Sequence, residues 1–300
     1  AKSITLSNCI FKGFATNALK QRGKGIYTND ATINCTSNNV ITNFANLTYG
    51  IFANQSSAAN QILNVSGNKF TNCYRSIVTR GTRNDNIRSN TISIPNNTNS
   101  NVGINTWGSG NFTFDANNFT GATLPLSTTK SYGMLLHNTA AFASNAGGNN
   151  FTNLNIGTQT QKNCGTAATN NGMQLFCNTY TNMLNSAWFI APFNAGTLAN
   201  QGQGCAATNK QARNIFIDPH NCISGAEVHI KSKAAFTYFN GNCVNCKPDC
   251  KSALVTTANC ANDNASSCML VNWPTTQAFA DSIETLMGNT SNNQIKGTYR

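Results

Sequence analysis

Residues 172–182 read GMQLFCNTYTN, and two parts of this stretch recur through the first two thirds of the chain. One part is a Gly or Ser followed by an aliphatic residue, found at Gly25-Ile26, Gly50-Ile51, Ser76-Ile77, Gly103-Ile104, Gly133-Met134 and Gly172-Met173. The other is an Asn just before an aromatic or aliphatic residue, found at Asn39-Val40-Ile41, Asn68-Lys69-Phe70, Asn90-Thr91-Ile92, Asn118-Phe119, Asn150-Phe151 and Asn178-Thr179-Tyr180. Copies lie about 22–32 residues apart, a period typical of stacked repeat units.

Short runs between these copies alternate apolar and polar residues, as in Ala31-Thr32-Ile33-Asn34-Cys35. Such alternation is typical of half-buried strands, and clusters of Asn, Ser and Gly between the runs are typical of turns. Each repeat offers about three strands and no helix, which excludes a doubly wound α/β fold. The pattern favours stacked parallel coils over its alternative, a β-sandwich, because a sandwich does not require the same phrase at a fixed step.

The repeats predict two ladders of inward side chains, with one rung in each coil. The first ladder is expected to hold Ile26, Ile51, Ile77, Ile104 and Met134. The second is expected to hold Val40 or Ile41, followed by Phe70, Ile92, Phe119, Phe151 and Tyr180. Stacked aromatic residues of this kind are expected to form core and not a ligand site.

Asn is about one residue in six, which suits a stack of parallel coils for two reasons. Asn tolerates left-handed backbone geometry at tight corners. Its side-chain amide can also hydrogen-bond to the same residue one coil away, as in the Asn ladders of stacked strands.

After Pro192 the repeat pattern loosens, so we predict one domain over residues 1–240 and a Cys-rich segment with a terminal helix over 241–300. The helix is predicted by the start signal Trp273-Pro274 and the stop residue Gly288. Its apolar stripe at helical spacing consists of Phe279, Ile283, Leu286 and Met287. This segment would cap the stack or begin a further region.

Twelve cysteines in 300 residues favour disulfides in an exported protein. The candidate disulfide cysteines are Cys205, Cys222, Cys243, Cys246, Cys250, Cys260 and Cys268, with Cys205 to Cys222 as a suggested bridge. The alternative is a structural zinc site at Cys243-x-x-Cys246, but the histidines do not stand at zinc-finger spacing. No metal site and no cofactor are therefore predicted.

The first residues, Ile4 to Phe11, already resemble a strand in the middle of a coil, and no signal peptide precedes them. We expect the chain to be a processed product or a piece of a longer exported protein. No apolar run is long enough to span a membrane.

The net charge of +11 is concentrated in the first third of the chain. The candidate residues for binding a glycan or other polyanion are Lys20, Arg22, Lys24, Arg75, Arg80, Arg83 and Arg88. Such a basic stripe attracts acidic polysaccharide, lipopolysaccharide or nucleic acid. The alternative is a set of solvated corners that keep the stack soluble. Along the sequence these residues are not interleaved with exposed-looking aromatic residues, which argues against a nucleic-acid platform.

The scarcity of carboxylates argues against catalysis, since the chain holds only nine Asp and Glu residues. Glycoside hydrolysis needs two carboxylates at a fixed separation. A lyase would need a carboxylate cluster holding calcium and a nearby Arg or Lys base. No two carboxylates in the repeats share a position on adjacent coils, and only Arg80, Arg83 and Asp85 group closely. No catalytic residue is predicted.

The Gly-Ile and Asn-x-Phe phrases resemble those of right-handed parallel β-helix repeat proteins of the pectate-lyase-like superfamily. The combination with Phe236-Thr237-Tyr238-Phe239 and the cysteines from Cys243 to Cys268 resembles Asn-rich surface proteins that Bacteroidota export by type IX secretion. The resemblance covers roughly residues 1–270 and implies an all-β, right-handed parallel β-helix. The sorting domain of such proteins has no counterpart here, and no catalytic Asp or Arg can be carried over.

The expected function is a non-catalytic, secreted or cell-surface protein with a structural, adhesive or filament-forming role. The alternative is a polysaccharide lyase or hydrolase, or a module that binds acidic polysaccharide. Expected partners are a glycan or other polyanion, further copies of the chain in a filament, or a larger surface protein.

Overall fold

The computed structural model describes residues 2–14, 22–36, 42–55, 62–95, 99–121, 130–139, 144–166, 172–191, 197–206, 209–217, 229–261 and 268. The chain divides into two compact units, Ala1–Cys268 and Met269–Arg300. The Cys-rich residues up to Cys268 thus belong to the first unit. The predicted terminal helix lies outside the described residues.

Three parallel sheets form the described structure, together with a two-stranded parallel pair. Sheet A contains β1 (Lys2–Leu6), β4 (Ala31–Thr36), β7 (Leu63–Ser66), β10 (Asn86–Arg88), β13 (Thr113–Asp115), β16 (Ser144–Gly147) and β19 (Met173–Phe176). Sheet B contains β2 (Ile10–Lys12), β5 (Asn43–Ala45), β8 (Lys69–Thr71), β11 (Thr91–Ile94), β14 (Asn118–Gly121), β17 (Asn150–Thr152), β20 (Thr179–Thr181) and β22 (Ile215–Ile217). Sheet C contains β3 (Lys24–Asn29), β6 (Tyr49–Asn54), β9 (Arg75–Arg80), β12 (Ser100–Trp107), β15 (Lys130–His137), β18 (Ile156–Gln161), β21 (Ser186–Ala191) and β23 (Ile230–Ser232). The pair consists of β24 (Phe236–Asn240) and β25 (Val255–Asn259).

Through most of the chain, each sheet takes every third strand, so that each repeat places one strand in sheet A, one in sheet B and one in sheet C. Every pairing between these strands is parallel. No α-helix occurs in the described part of the chain. This all-β arrangement of stacked parallel strands is compatible with a parallel β-helix.

The first predicted ladder is confirmed by the strand register of sheet C. Ile26 pairs with Ile51, Ile51 with Ile77, Ile77 with Ile104 and Ile104 with Met134, and all are buried. Gly172-Met173, however, belongs to sheet A, and Thr158 takes the position that follows Met134. A Gly before an apolar residue therefore does not by itself identify the sheet.

The second ladder runs through sheet B as predicted from Phe70 to Tyr180, but it begins differently. Phe44, not Val40 or Ile41, pairs with Phe70, and their ring centroids lie 4.7 Å apart with nearly parallel planes. Val40 and Ile41 lie outside the described residues. The prediction was misled because Thr42, not Asn39, occupies the position of the repeated Asn.

The recurring Gly of sheet C makes room for the ring of sheet B in the same coil. A Cβ at Gly103 would lie 2.6 Å from Cδ1 of Phe119, which is far closer than van der Waals contact. In the one coil where Ile92 replaces the ring, the corresponding position is Ser76 instead of Gly. The two halves of the repeated phrase are therefore coupled by packing.

A buried ladder of amides connects the coils beside the rings, formed by Asn68, Asn90, Asn117, Asn149, Asn178 and Asn214. In each pair the Nδ2 of one Asn donates to the Oδ1 of the next, at 2.9–3.0 Å from Asn90 onward. The backbone N–H donates to the same oxygen, for example Asn117 to Asn149 at 3.0 Å. The ladder uses Asn117 and Asn149, whereas the neighbouring Asn118 and Asn150 named in the sequence phrase are exposed.

Cysteines of the C-terminal part form disulfides between Cys177 and Cys268, Cys205 and Cys260, and Cys243 and Cys246. Cys250 is also disulfide-bonded. The suggested bridge from Cys205 to Cys222 is wrong, because Cys205 bonds with Cys260, and Cys222 lies outside the described residues. Free thiols remain at Cys9, Cys35, Cys73 and Cys164.

Candidate polyanion-binding face

Three of the predicted basic residues make hydrogen bonds within the fold. Arg83 donates to the backbone oxygens of Thr82 at 2.9 Å and Gly108 at 2.8 Å. Arg88 in sheet A donates its Nε to Oδ1 of Asp115 at 2.9 Å, and this bond raises the pKa of the Arg88 guanidinium. The Arg22 guanidinium lies 3.5 Å from the backbone oxygen of Asn72. Lys20 lies outside the described residues.

The other three, Lys24, Arg75 and Arg80, lie in strands of sheet C. Lys24 and Arg80 are exposed, whereas Arg75 is half-buried and its guanidinium carbon lies 5.3 Å from the ring centroid of Tyr74. Lys24 pairs with Tyr49, and Tyr49 pairs with Arg75, so the two cations occupy the same register position two strands apart. Because neighbouring strands are about 4.8 Å apart, the backbone positions of the two cations are roughly 10 Å apart. Arg80 lies at the other end of its strand, in register with Trp107.

Aromatic side chains lie among these cations. Tyr27 and Phe52 stack with ring centroids 5.1 Å apart, and Lys24 Nζ lies 4.2 Å from the centroid of Tyr27. Tyr49 packs its ring edgewise against Phe52 at 5.3 Å. These residues, together with Arg75, Arg80, Trp107 and His137, are called the sheet C face below.

The rings of Tyr27 and Phe52 in the sheet C face are stacked, so they present edges more than flat surfaces. Tyr27 and Phe52 stack in the direction from strand to strand, so the faces of their rings are turned towards each other. Ring edges carry partial positive charge. Tyr27 and Trp107 are both 49% exposed, and Trp107 packs against His137 with centroids 5.1 Å apart. Such edges beside Lys and Arg favour an anionic ligand.

All charged side chains in the strands of sheet C are positive. The eight strands of sheet C contain Lys24, Arg75, Arg80, Lys130 and Lys231 but no Asp or Glu. Burial and the nearby Lys162 lower the pKa of His137 below its usual value, which favours its neutral imidazole. The positive field of the face therefore comes from Lys and Arg and persists at neutral pH.

This arrangement corrects the expectation that the basic residues stand apart from exposed aromatic residues. Tyr49 and Trp107 lie 25–27 residues from the cations with which they pair, and the period of the repeat brings them into register. Sequence reasoning missed Tyr27, Tyr49, Phe52, Trp107 and His137. The signal that could have found them is an alignment of the coils read for outward positions instead of inward ones.

Carboxylates in the described residues do not form a catalytic pair. Asp115 is bonded to Arg88, and Asp85 is fully buried, where it accepts bonds from the Leu63 N–H and the Thr82 hydroxyl. Burial raises the pKa of Asp85 to about 7. No group of three or more His, Cys, Asp or Glu that could hold a metal ion occurs in the described part of the chain. Cys243 and Cys246, the alternative zinc ligands, are bonded to each other.

Comparison with known proteins gives no match: no family, no curated protein and no solved structure is similar to this chain at a significant level. Within the described ranges, no helix is long and apolar enough to cross a membrane.

Proposed function

We propose that this chain is a secreted or cell-surface, non-catalytic adhesive module that binds acidic polysaccharide through the sheet C face. Its fold is proposed to be a right-handed parallel β-helix, in which the coils hold this face rigid. The export of the protein is supported by its disulfides, which are typical of oxidising compartments.

The single observation that carries the binding proposal is the register of sheet C. It places Lys24, Arg75 and Arg80 among aromatic ring edges on strands that contain no carboxylate. A row of cations on a rigid sheet loses little side-chain and backbone freedom when it binds an extended polyanion, which favours affinity. Charge attraction of this kind weakens as salt is added.

The test uses retention and product release on a panel of acidic and neutral glycans. We expect retention on the acidic glycans, no release of shorter products, and loss of retention as salt rises. Retention with cleavage would instead support the alternative, a polysaccharide lyase or hydrolase. Equal retention on acidic and neutral glycans would contradict the anionic ligand.

A matched pair of triple variants separates the face from net charge. Lys24→Ala, Arg75→Ala and Arg80→Ala together are expected to weaken retention at least tenfold. The control removes the same charge from Lys12, Lys69 and Lys233, which are exposed and lie outside the sheet C face. Equal losses in both variants would contradict a site on sheet C.

Self-association into filaments is a second candidate function, favoured by exposed apolar side chains at β2. Ile10 in β2 and Phe14 just after it are both 75% exposed. Large apolar side chains that face the solvent favour burial against another chain. Sedimentation over a range of concentrations tests this, since a monomer at all concentrations would exclude it.

A further inference from the structure

The disulfide between Cys243 and Cys246 differs from the other two pairs in how much chain it encloses. Its cysteines are 3 residues apart, against 55 for Cys205–Cys260 and 91 for Cys177–Cys268. A bond that closes a short loop removes little freedom from the unfolded chain and so contributes least to stability. Opening this bond therefore leaves the long-range bridges Cys205–Cys260 and Cys177–Cys268 and the bond of Cys250 in place.

The two sulfurs of this disulfide are unequally accessible. Cys246 is 0% exposed, whereas Cys243 is half-buried and has exposed residues on both sides, with Val244 at 83%. Thiol–disulfide exchange requires a thiolate to reach one sulfur of the bond. In the folded protein that sulfur is the one of Cys243.

The backbone of the loop holds the two cysteines together whether or not they are bonded. The Cys246 N–H donates to the Cys243 carbonyl oxygen at 3.2 Å. Asn245, which has a left-handed φ of 61°, accepts a bond from the Phe216 N–H at 3.0 Å, which fixes the loop to the end of sheet B. A freed Cys246 thiolate thus stays close to Cys243.

We propose that Cys243-Val244-Asn245-Cys246 is a reversible thiol–disulfide exchange site for a small thiol such as glutathione. The incoming thiolate forms a bond to the Cys243 sulfur, the bond between Cys243 and Cys246 breaks, and Cys246 leaves as a thiolate that takes a proton. In the reverse step the Cys246 thiolate attacks the mixed disulfide at Cys243 and releases the small thiol. If a second small thiol attacks the mixed disulfide before Cys246 does, it bonds to the sulfur of the first small thiol. The oxidised dimer of the small thiol is then released, and Cys243 and Cys246 both remain as thiols.

The first experiment treats the whole protein with increasing glutathione, alkylates free thiols under native conditions and locates them by mass spectrometry. We expect a range in which Cys243 and Cys246 are alkylated while Cys205, Cys260, Cys177 and Cys268 are not, with unchanged circular dichroism. Added glutathione disulfide should close the bond again. Alkylation of all these cysteines together, or loss of the fold with the first bond, would overturn the proposal.

The second experiment tests which sulfur is attacked. Cys246→Ser is expected to form one glutathione adduct at Cys243 on exposure to glutathione disulfide, at a rate at least tenfold that of Cys246 in the Cys243→Ser variant. Equal rates in two folded variants would overturn the assignment of Cys243. If a variant does not fold, the first experiment on the natural chain still decides.

Discussion

Asn149 shows how one buried amide connects three coils. Its Oδ1 accepts from both the N–H and the Nδ2 of Asn117 at 3.0 Å, and its own Nδ2 donates to Phe114 O and Asn178 Oδ1 at 2.9 Å. All polar atoms of the side chain are therefore satisfied in the interior. This explains why Asn, and not another small polar residue, recurs at this position.

Asn149→Ala is expected to lower the free energy of unfolding by about 2–5 kcal/mol, because it leaves two buried donors of Asn117 without an acceptor. The matched control is Asn150→Ala at the exposed neighbouring position, with an expected change within about 0.5 kcal/mol. Urea unfolding measures both. Similar losses for the two variants would contradict the amide ladder.

Asp85 is the second residue whose surroundings set a measurable property. Burial raises its pKa to about 7, against hydrogen bonds from Thr82 and Leu63 and the charge of Arg83, which lower it. The folded state therefore holds the proton more tightly than the unfolded state. The contribution of Asp85 to stability is largest at acidic pH and is lost as pH rises from about 4 to 7.

Asp85→Asn is expected to remove this pH dependence while preserving the contacts, since an amide can donate to Thr82 Oγ1 and accept from the Leu63 N–H. Urea unfolding at about pH 5 and pH 8 should show the variant gaining stability over the natural chain only at the higher pH. If the variant and the natural chain differed in stability by the same amount at both pH values, Asp85 would not change its protonation between them.

At the scale of the element, several strands of sheet C pack a Gly against a ring of the sheet B strand that lies two strands later in the chain. Gly103 leaves space for Phe119, and Ser76 stands where Ile92 needs less space. The repeated Gly and aromatic positions that identified the repeat therefore reflect packing between sheet C and sheet B. They say nothing about the outward positions of the same strands.

Gly103→Ala is expected to cost about 1–3 kcal/mol, because the stacked ring of Phe119 has no free space to move into. Ser76→Gly is the control, with a smaller change expected. The double variant Gly103→Ser with Phe119→Ile reproduces the natural Ser76 and Ile92 pair and should be less destabilised than Gly103→Ser alone. Thermal unfolding measures the series, and strictly additive losses would contradict the coupling.

At the scale of the whole molecule, disulfides occur from Cys177 onward, whereas all four free thiols precede it. Burial raises the pKa of the Cys35 and Cys73 thiols to about 11, which keeps them protonated and unreactive in the folded state. The cysteines therefore fall into two groups, one that forms disulfides and one that remains as thiols within the first part of the fold.

Thiol titration in denaturant without reductant is expected to find four thiols, and titration after reduction is expected to find twelve. The seven bonded cysteines need one further partner, which leaves four free. In the folded protein Cys35, Cys73 and Cys164 should react far more slowly than half-buried Cys9. Twelve thiols without reductant would contradict the disulfides and the proposed export.

Most of the architecture could be read from the sequence, because burial repeats once in every coil and leaves the same residue types at the same step. Both inward ladders, the lack of α-helix in the described residues and the left-handed Asn corners, such as Asn46 and Asn72, follow from local preference and periodicity. The Phe44 rung of the aromatic ladder could not be read, since Thr42 stands where the other repeats have Asn. Disulfide pairing could not be read either, because sequence spacing does not fix which cysteines meet.

The sequence by itself determined that this protein stacks parallel strands, since that information lies in the inward residues of each repeat. Only the tertiary structure decided which basic residues share a surface. Arg83 and Arg88 bond within the fold, while Lys24, Arg75 and Arg80 lie with Tyr27, Phe52 and Trp107 on sheet C. The physical reason is that the register between paired strands decides which outward side chains of different repeats become neighbours. That register depends on how far the loop between two strands shifts one strand along the other.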